Sequence, residues 1–413
     1  MSNEPVNGRF DVLISGASFA GLALARALTY ASRGDLRIGL ADRSIGLPER
    51  PDARAFALSA ASRHMLEMLG VWQGVAAEAE PVLEIEITDS SLEAAVRPVL
   101  LRYANLLEDG EPASHIVPAN RLLEALHQSV ADDPTITFLA PAVAEGLEPG
   151  PHVATLTFAD GRRARASLVV AAEGRRSRLR EQAGLKVTGW GYGQTGIVTT
   201  LKHEKPHGGR AVQHFLPGGP FAILPLRANR SCVTWSETAA EAERIMALDD
   251  ALFLDEIDLR FGGRLGAIAL DGPRQCWPLE MHLARGYVAP RLALLGDTAH
   301  GVHPIAGQGL NLGLRDAAAL AEVLVEAARL GLDIGSPAVL ERYERWRRFD
   351  STLSAAAFDG LNRLFSNDNA LLRLARDLGL GLVEAMPGLK SRFVEEAAGL
   401  SGEVPRLLRR LAI

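Results

Sequence analysis

Two stretches of the chain carry the residue types and spacing of loops that hold phosphates and polyol hydroxyls. The first is Gly16-Ala17-Ser18-Phe19-Ala20-Gly21, which follows the apolar run Phe10–Ser15 and opens a stretch of helical spacing from Phe19 to about Ala31. It matches G-x-G-x-x-G at the first and third glycines and has Ser18 at the second. The first glycine permits a tight turn, the second lets backbone approach a pyrophosphate, and the third lets helix pack closely on strand. A helix starting here turns its free amides and positive dipole end toward a diphosphate. The plainer reading of the loop alone is a tight strand-to-helix turn. Asp42, followed by Arg43, closes the next apolar run, Leu36–Ala41. It lies about 20 residues past the last glycine, where a carboxylate accepts hydrogen bonds from ribose hydroxyls. Loop and carboxylate together favour a bound dinucleotide, with Arg43 counted in the same site.

The second stretch runs from Leu294-Leu295-Gly296-Asp297 through His300 and His303-Pro304 to Gly307-Gln308-Gly309-Leu310-Asn311. At the end of a parallel strand, Asp297 can bond a polyol hydroxyl. The glycines from Gly307 offer amide donors at a helix start, suited to a ring carbonyl that gains negative charge. This second loop, far along the chain from the first, points to FAD rather than NAD. His300 and His303 are spaced three apart across a proline-glycine loop with no third ligand pattern, so no metal is expected.

The elements that must position these loops follow from periodicity. Strand, glycine turn, helix, strand and acidic residue make the start of a βαβ unit. Residues 55–75 are predicted as a helix with Ser59 or Ser62 near its start, and 82–103 as strands. A helix is expected from near Asn120, strands at 135–139, 153–158 and 164–171, and a hairpin turn at Asp160-Gly161. Residues 187–236 hold repeated β-type runs between glycine, proline and asparagine turns, which predicts an inserted antiparallel sheet. A parallel strand returns at Leu292, then a helix from about Gly307 to Leu330, and residues 338–413 are helical by pattern.

Composition bounds the rest. The chain has 413 residues, 47% of them hydrophobic and 23% charged, with a net charge of −6. That balance is globular and excludes both disorder and a nucleic-acid footprint. Lysine occurs only at Lys186, Lys202, Lys205 and Lys390, and all other basic side chains are arginines, so each arginine needs its own reason before it is called functional. Cys232 and Cys276 form neither a disulfide framework nor a zinc spacing, which fits a reducing, cytoplasmic setting. The amino terminus lacks signal-peptide character and no apolar run of about 18 residues occurs, so any membrane contact is expected to be peripheral.

The two loops, with ALSAASRHMLEMLGVW at 57–72, GWGYGQTGIV at 189–198, QHFLPGGPFAILPL at 213–226, GDTAHGVHPIAGQGLNLGLRD and GLNRLFSNDN, resemble the FAD-dependent aromatic hydroxylases, the group A flavoprotein monooxygenases, over essentially the whole chain. Within them the stretches are similar to the ubiquinone-biosynthesis hydroxylase branch. The resemblance implies an α/β fold, in which a Rossmann-like FAD-binding domain (1–80, 104–185 and 281–345) is interleaved with an antiparallel β-sheet substrate domain (81–103 and 186–280). Residues 346–413 would form a C-terminal helical region.

It also implies that Arg54 reaches the flavin or its pyrophosphate, that Arg121 lies on the helix behind the phosphates, and that Val143 meets adenine. Pro304 and Gly307 to Asn311 would line the flavin ring. The family's Asp-Gly is Glu173-Gly174 here, one methylene longer, followed by Arg175, Arg176, Arg178 and Arg180, for which cofactor handling and a solvated loop are equal alternatives. The implied reaction reduces FAD with NAD(P)H or another external donor, adds molecular oxygen to give a flavin hydroperoxide, and transfers oxygen to an aromatic, prenylated substrate. Gln213, Phe215, Leu224 and Pro225 are the pocket candidates; no catalytic base is assigned. Leucines at helical spacing in 369–389 suit core packing, a membrane surface or a partner of quinone biosynthesis. A flavin halogenase is excluded, because Trp72, Trp190, Trp235, Trp277 and Trp346 leave no W-x-W-x-I-P. A prenyl-chain reductase and a non-catalytic FAD-binding subunit stay open.

Overall fold

A computed structural model describes residues 9–44, 46–47, 52–89, 99–216, 218–302, 307–365 and 394–413. Its first layer is an eight-stranded sheet whose central strands are parallel. Their order is Leu292–Leu294, Arg163–Ala171, Arg9–Ser15, Ile38–Ala41 and Ile136–Leu139. The strands read as continuous apolar runs because both faces are covered. Helix Phe19–Ser32 packs against Gly309–Arg329 in the same core, with Leu13, Ile14, Leu24 and Leu320 fully buried.

The second layer is a nine-stranded sheet, mostly antiparallel, in which Arg210–Leu216 runs parallel to Glu84–Asp89. Glu84–Asp89 and Val99–Ala104 therefore bring an early piece of chain into the later sheet. Strand Gln275–Ala284 crosses the expected boundary after residue 280, and His300–Gly301 pairs with its far end. One face of this sheet is closed by helices Ala239–Met246 and Asp250–Phe261. Thr238 and Asp249 cap them through Glu241 N and Leu252 N.

Residues 55–59 are not the start of a helix. They form strand Ala55–Ser59, paired antiparallel with Ser114–Pro118, and Ser59 then caps helix Ala60–Met68 by accepting from Ser62 N. Pairing with a strand distant in sequence overrode the local helical spacing. Helix Pro337–Phe365 follows the glycine-loop helix as expected. The stretch 369–389 lies outside the described residues.

The last described segment is integral to the fold rather than an appended helix. Leu407 and Leu408 are buried in the main core. Ala61 N donates to Ala398 O at 3.0 Å, so the tail satisfies a free amide at the start of helix Ala60–Met68. Arg410 Nη2 reaches Glu111 Oε1 at 2.6 Å and Glu67 Oε2 at 2.9 Å, while His64 faces Leu408 O and Glu111. Burial alone would raise the Glu111 carboxyl, but bonds from Arg410, His64 and Arg63 outweigh it and bring its pKa to about 2. A carboxyl lowered in the folded state contributes stability above its ordinary value of 4.5, lost as pH falls toward about 2. Glu111→Gln is therefore expected to shrink the drop in urea midpoint between pH 5 and pH 3, roughly the window set by these values. An unchanged drop would show that Glu111 does not couple the tail to acid stability.

Candidate functional site

The parallel strands end side by side, and their carboxyl ends deliver the loops singled out by the sequence. Gly16 N donates to Ala41 O at 2.7 Å, Ala172 N to Ser15 O at 2.8 Å, and Leu295 N to Ala171 O at 3.0 Å. Gly16, Asp42, Glu173 and Asp297 thus lie along one edge, the crevice where open α/β sheets take their ligands. These residues open on a single cavity of about 1210 Å³ that extends to the second sheet.

The backbone of the first loop leaves no choice at its glycines. Gly16 has φ +114°, and a Cβ there would lie 2.2 Å from Ala172 O; a Cβ at Gly21 would lie 1.9 Å from Gly16 O. Ser18 has φ −95°, open to any residue, so the loop does not need its second glycine for conformation. Ser18 makes no side-chain capping bond to the helix it precedes, and it lines the cavity with Phe19 and Ala20. Asp42 is fixed by Ala17 N at 2.8 Å and by Ser44 N and Oγ, both at 2.9 Å, so strand end and glycine loop share one carboxylate. Arg43 and Val143 line the cavity beside it.

Arg54 also lines the cavity. Its guanidinium pairs with Asp52 at 2.6 Å and sits 5.2 Å from the Phe56 ring centre and 5.5 Å from that of Trp277. Burial opposes its charge, but the bonds and field of Asp52, with Asp297 adding, raise its pKa. Gly307, Gln308, Gly309, Leu310 and Asn311 all line the cavity; Pro304 and His303 lie outside the described residues. Asn311 spends its amide on the protein, accepting from Ser59 N at 3.0 Å and donating to Ala57 O at 2.9 Å. It ties the loop to strand Ala55–Ser59.

Arg121 is the exception among the cofactor candidates. It does not line the cavity, and its guanidinium pairs with Glu124 one turn along the same exposed helix face at 2.9 Å. Of the four pocket candidates Gln213, Phe215 and Leu224 line the cavity, whereas Pro225 does not. The period of two puts Ala222 and Leu224 on the cavity face of strand Gly219–Leu226 and Pro225 on the other.

Glu173 turns inward. Ser15 Oγ donates to its Oε1 at 2.8 Å, and Ser177 Oγ to its Oε2 at 2.6 Å. The extra methylene lets one carboxylate join the end of the first strand to the start of helix Arg178–Gln182. The arginines after it divide: Arg180 is buried and donates to Thr298 O at 3.1 Å, whereas Arg175, Arg176 and Arg178 line the cavity.

Two features escaped the sequence reading. The tail contributes Glu396, Gly399 and Leu408 to the cavity wall. Beneath the Asp297 loop, Asp316 is wholly buried and accepts from His300 Nε2 at 2.6 Å, Arg347 Nε at 2.7 Å and Gly296 N at 3.2 Å. Burial works against its charge, yet His300 and Arg347 hold its pKa below the ordinary value. Its only sequence signal was its place in GLNLGLRD. Among the described residues no three His, Cys, Asp or Glu side chains converge as metal ligands.

The residues fit FAD. A glycine cradle with no space for side chains, two carboxylates at strand ends and a second glycine loop at a helix start meet in one cavity, larger than the roughly 300–1,000 Å³ typical of small-ligand sites. The family model for the FAD binding domain matches residues 9–352. The chain is 44% identical over 402 residues to the ubiquinone hydroxylase UbiL of Rhodospirillum rubrum, covering 97% of this chain and 92% of that one. It is 33% identical over 402 residues to the 3-demethoxyubiquinol 3-hydroxylase of Escherichia coli, covering 97% and 100%. Among solved structures, the p-nitrophenol 4-monooxygenase PnpA from Pseudomonas putida has a TM-score of 0.76 at 18% identity, covering 96% of this chain and 99% of that one. HpxO of Klebsiella pneumoniae, solved with FAD and uric acid, has a TM-score of 0.72 at 17% identity, covering 96% and 97%. At such identities the likeness to solved structures speaks for the fold.

Fold and family match together define an FAD-binding oxidoreductase. The chain belongs to the FAD-dependent aromatic hydroxylases, in the ubiquinone-biosynthesis hydroxylase branch.

Asp316→Asn removes the charge that Arg347 and His300 share. It is expected to cost about 3 kcal/mol, since the buried Arg347 guanidinium loses one of its two carboxylate partners and keeps only Asp350. Urea unfolding and FAD retention measure the loss, and Asp316→Asn with Arg347→Met should recover part of it.

Proposed function

We propose that the protein is an FAD-dependent monooxygenase that hydroxylates the aromatic ring of a polyprenyl phenol or quinone precursor in ubiquinone biosynthesis. The observation that carries this reading is the split character of this cavity. Its polar end has Gly16, Ser18, Asp42, Arg43 and Asp297, and its other end has Ile85, Leu101, Phe215, Leu224, Trp277 and Leu279. One end suits a charged dinucleotide and the other an oily ring with its prenyl chain.

Bound FAD would supply the oxygen chemistry after reduction by NAD(P)H or another external donor. The protein's own work is positional. Amides at the start of helix Phe19–Ser32 would bind the pyrophosphate, Asp42 the ribose, and Asp297 the polyol chain, with Arg54 and Val143 alongside. The amides from Gly307, at the start of helix Gly309–Arg329, would favour negative charge on a ring carbonyl. Phe215, Leu224 and Trp277 would keep water from the reacting ring. Arg121 keeps its family role only if its side chain leaves Glu124. The described residues include no helix long and apolar enough to cross a membrane. Peripheral membrane contact or a quinone-biosynthesis partner remains the proposed route for an oily substrate, and exposed Phe349 and Leu353, the latter on the cavity wall, support it.

The FAD-loaded protein is expected to consume oxygen in a donor-dependent way with a prenylated phenol and to yield a product one oxygen atom heavier. Bound FAD with no turnover on any phenol would favour a non-catalytic subunit; saturation of the prenyl chain would favour the reductase. For the membrane route, liposome flotation of the full chain should be lost on replacing exposed Phe349 and Leu353 together by serine, and flotation that survives both changes counts against that surface.

A further inference from the structure

The sheet under the apolar end carries one transverse row of side chains. Register places Leu101 opposite Ile87, Ile87 opposite Gln213, Gln213 opposite Ala222, Ala222 opposite Thr234, and Thr234 opposite Val198. Directly paired residues share a face, and all six line the cavity. Gln213 stands between the aliphatic Ile87 and Ala222, and along its own strand between Ala211 and Phe215 on the same face.

Its Nε2 is buried and has no hydrogen-bond partner among the described residues. Other glutamines of the chain bond to the protein. Gln194 donates to Gly218 O at 2.9 Å, Gln275 accepts from Ala53 N at 2.8 Å, and Gln308 accepts from Asn311 Nδ2 at 3.2 Å. A dry donor without an acceptor carries the full desolvation cost of its lost water bonds, and a methionine would fill the same space without it. Ala222, the smallest side chain in the row, lies beside the amide and leaves height above the sheet for a flat ring.

The geometry points to Gln213 as the specificity-determining residue of the substrate pocket: its amide turns about the last side-chain bond so that Nε2, unpartnered and out of reach of water in the cavity, donates to an oxygen on the substrate ring, a phenol or quinone oxygen. This rests on the reading that the cavity accepts a prenylated aromatic ring. Gln213 thereby separates oxygenated rings from hydrocarbon rings of the same shape and fixes the face presented for hydroxylation. In a ring not so held, the two donor electrons and the oxygen molecule leave as hydrogen peroxide instead of hydroxylated product and water.

The test titrates the FAD-loaded full chain with 2-prenylphenol and with prenylbenzene, which lacks the ring oxygen, and follows the flavin absorbance. Wild type should bind the phenol more tightly. Gln213→Met should weaken the phenol about tenfold, leave prenylbenzene within about twofold, and raise the share of oxygen released as peroxide. Gln213→Glu, which keeps the shape but offers an acceptor, should not restore binding of 2-prenyl-1,4-benzoquinone, whose ring oxygens only accept. FAD content equal to wild type shows that the variants fold. Equal weakening of phenol and prenylbenzene by Gln213→Met, or full quinone binding by Gln213→Glu, would overturn the inference. A wild-type protein that binds neither compound would sink the aromatic-substrate reading and this inference with it.

Discussion

The Asp316 carboxylate, sealed from water, is the contact on which the rest of the site depends. A buried charge persists only when paired and hydrogen-bonded, and Asp316 meets that demand with an amide and an imidazole from the Asp297 loop and a guanidinium from the long helix. The amide belongs to Gly296, so the carboxylate sets the turn that presents Asp297. Arg347 also pairs with Asp350, Asp350 with Arg315, and Arg315 donates to Ser401 O at 3.0 Å. One line of charge therefore runs from the polyol loop through the glycine-loop helix and the long helix to the tail.

Around that line the two sheets divide the work. The parallel sheet delivers polar loops at its carboxyl edge, and the second sheet supplies an apolar floor. Gln275–Ala284 belongs to the second sheet, yet its end pairs with His300–Gly301, a few residues past Asp297 and with His300 held by Asp316. Substrate floor and cofactor edge are consequently set by the same buried contacts.

What the sequence disclosed was local. Strand, turn and helix at Gly16–Gly21 are neighbours along the chain, so their steric demands leave a spacing that can be read, and Asp42 and Asp297 sit at strand ends for the same reason. Along strand Arg210–Leu216 the period of two sets Ala211, Gln213 and Phe215 on one face, and in strand Gly219–Leu226 it sets Pro225 apart from Leu224. Residues 55–59 deceived because their partner strand lies far away, and Arg121 because a residue's place on a helix does not fix the direction of its side chain. Neither the Asp316 cluster nor the tail contacts had a local signature, since each joins segments distant in the chain.

The tail has one more consequence. Glu396, Gly399 and Leu408 form part of the cavity wall, and the Ala398 carbonyl caps the helix that follows strand Ala55–Ser59. During synthesis the glycine loop emerges first, but the wall cannot close until residue 408 has cleared the ribosome. Nascent chains thus pass through a stage in which the loops exist while the chamber stands open.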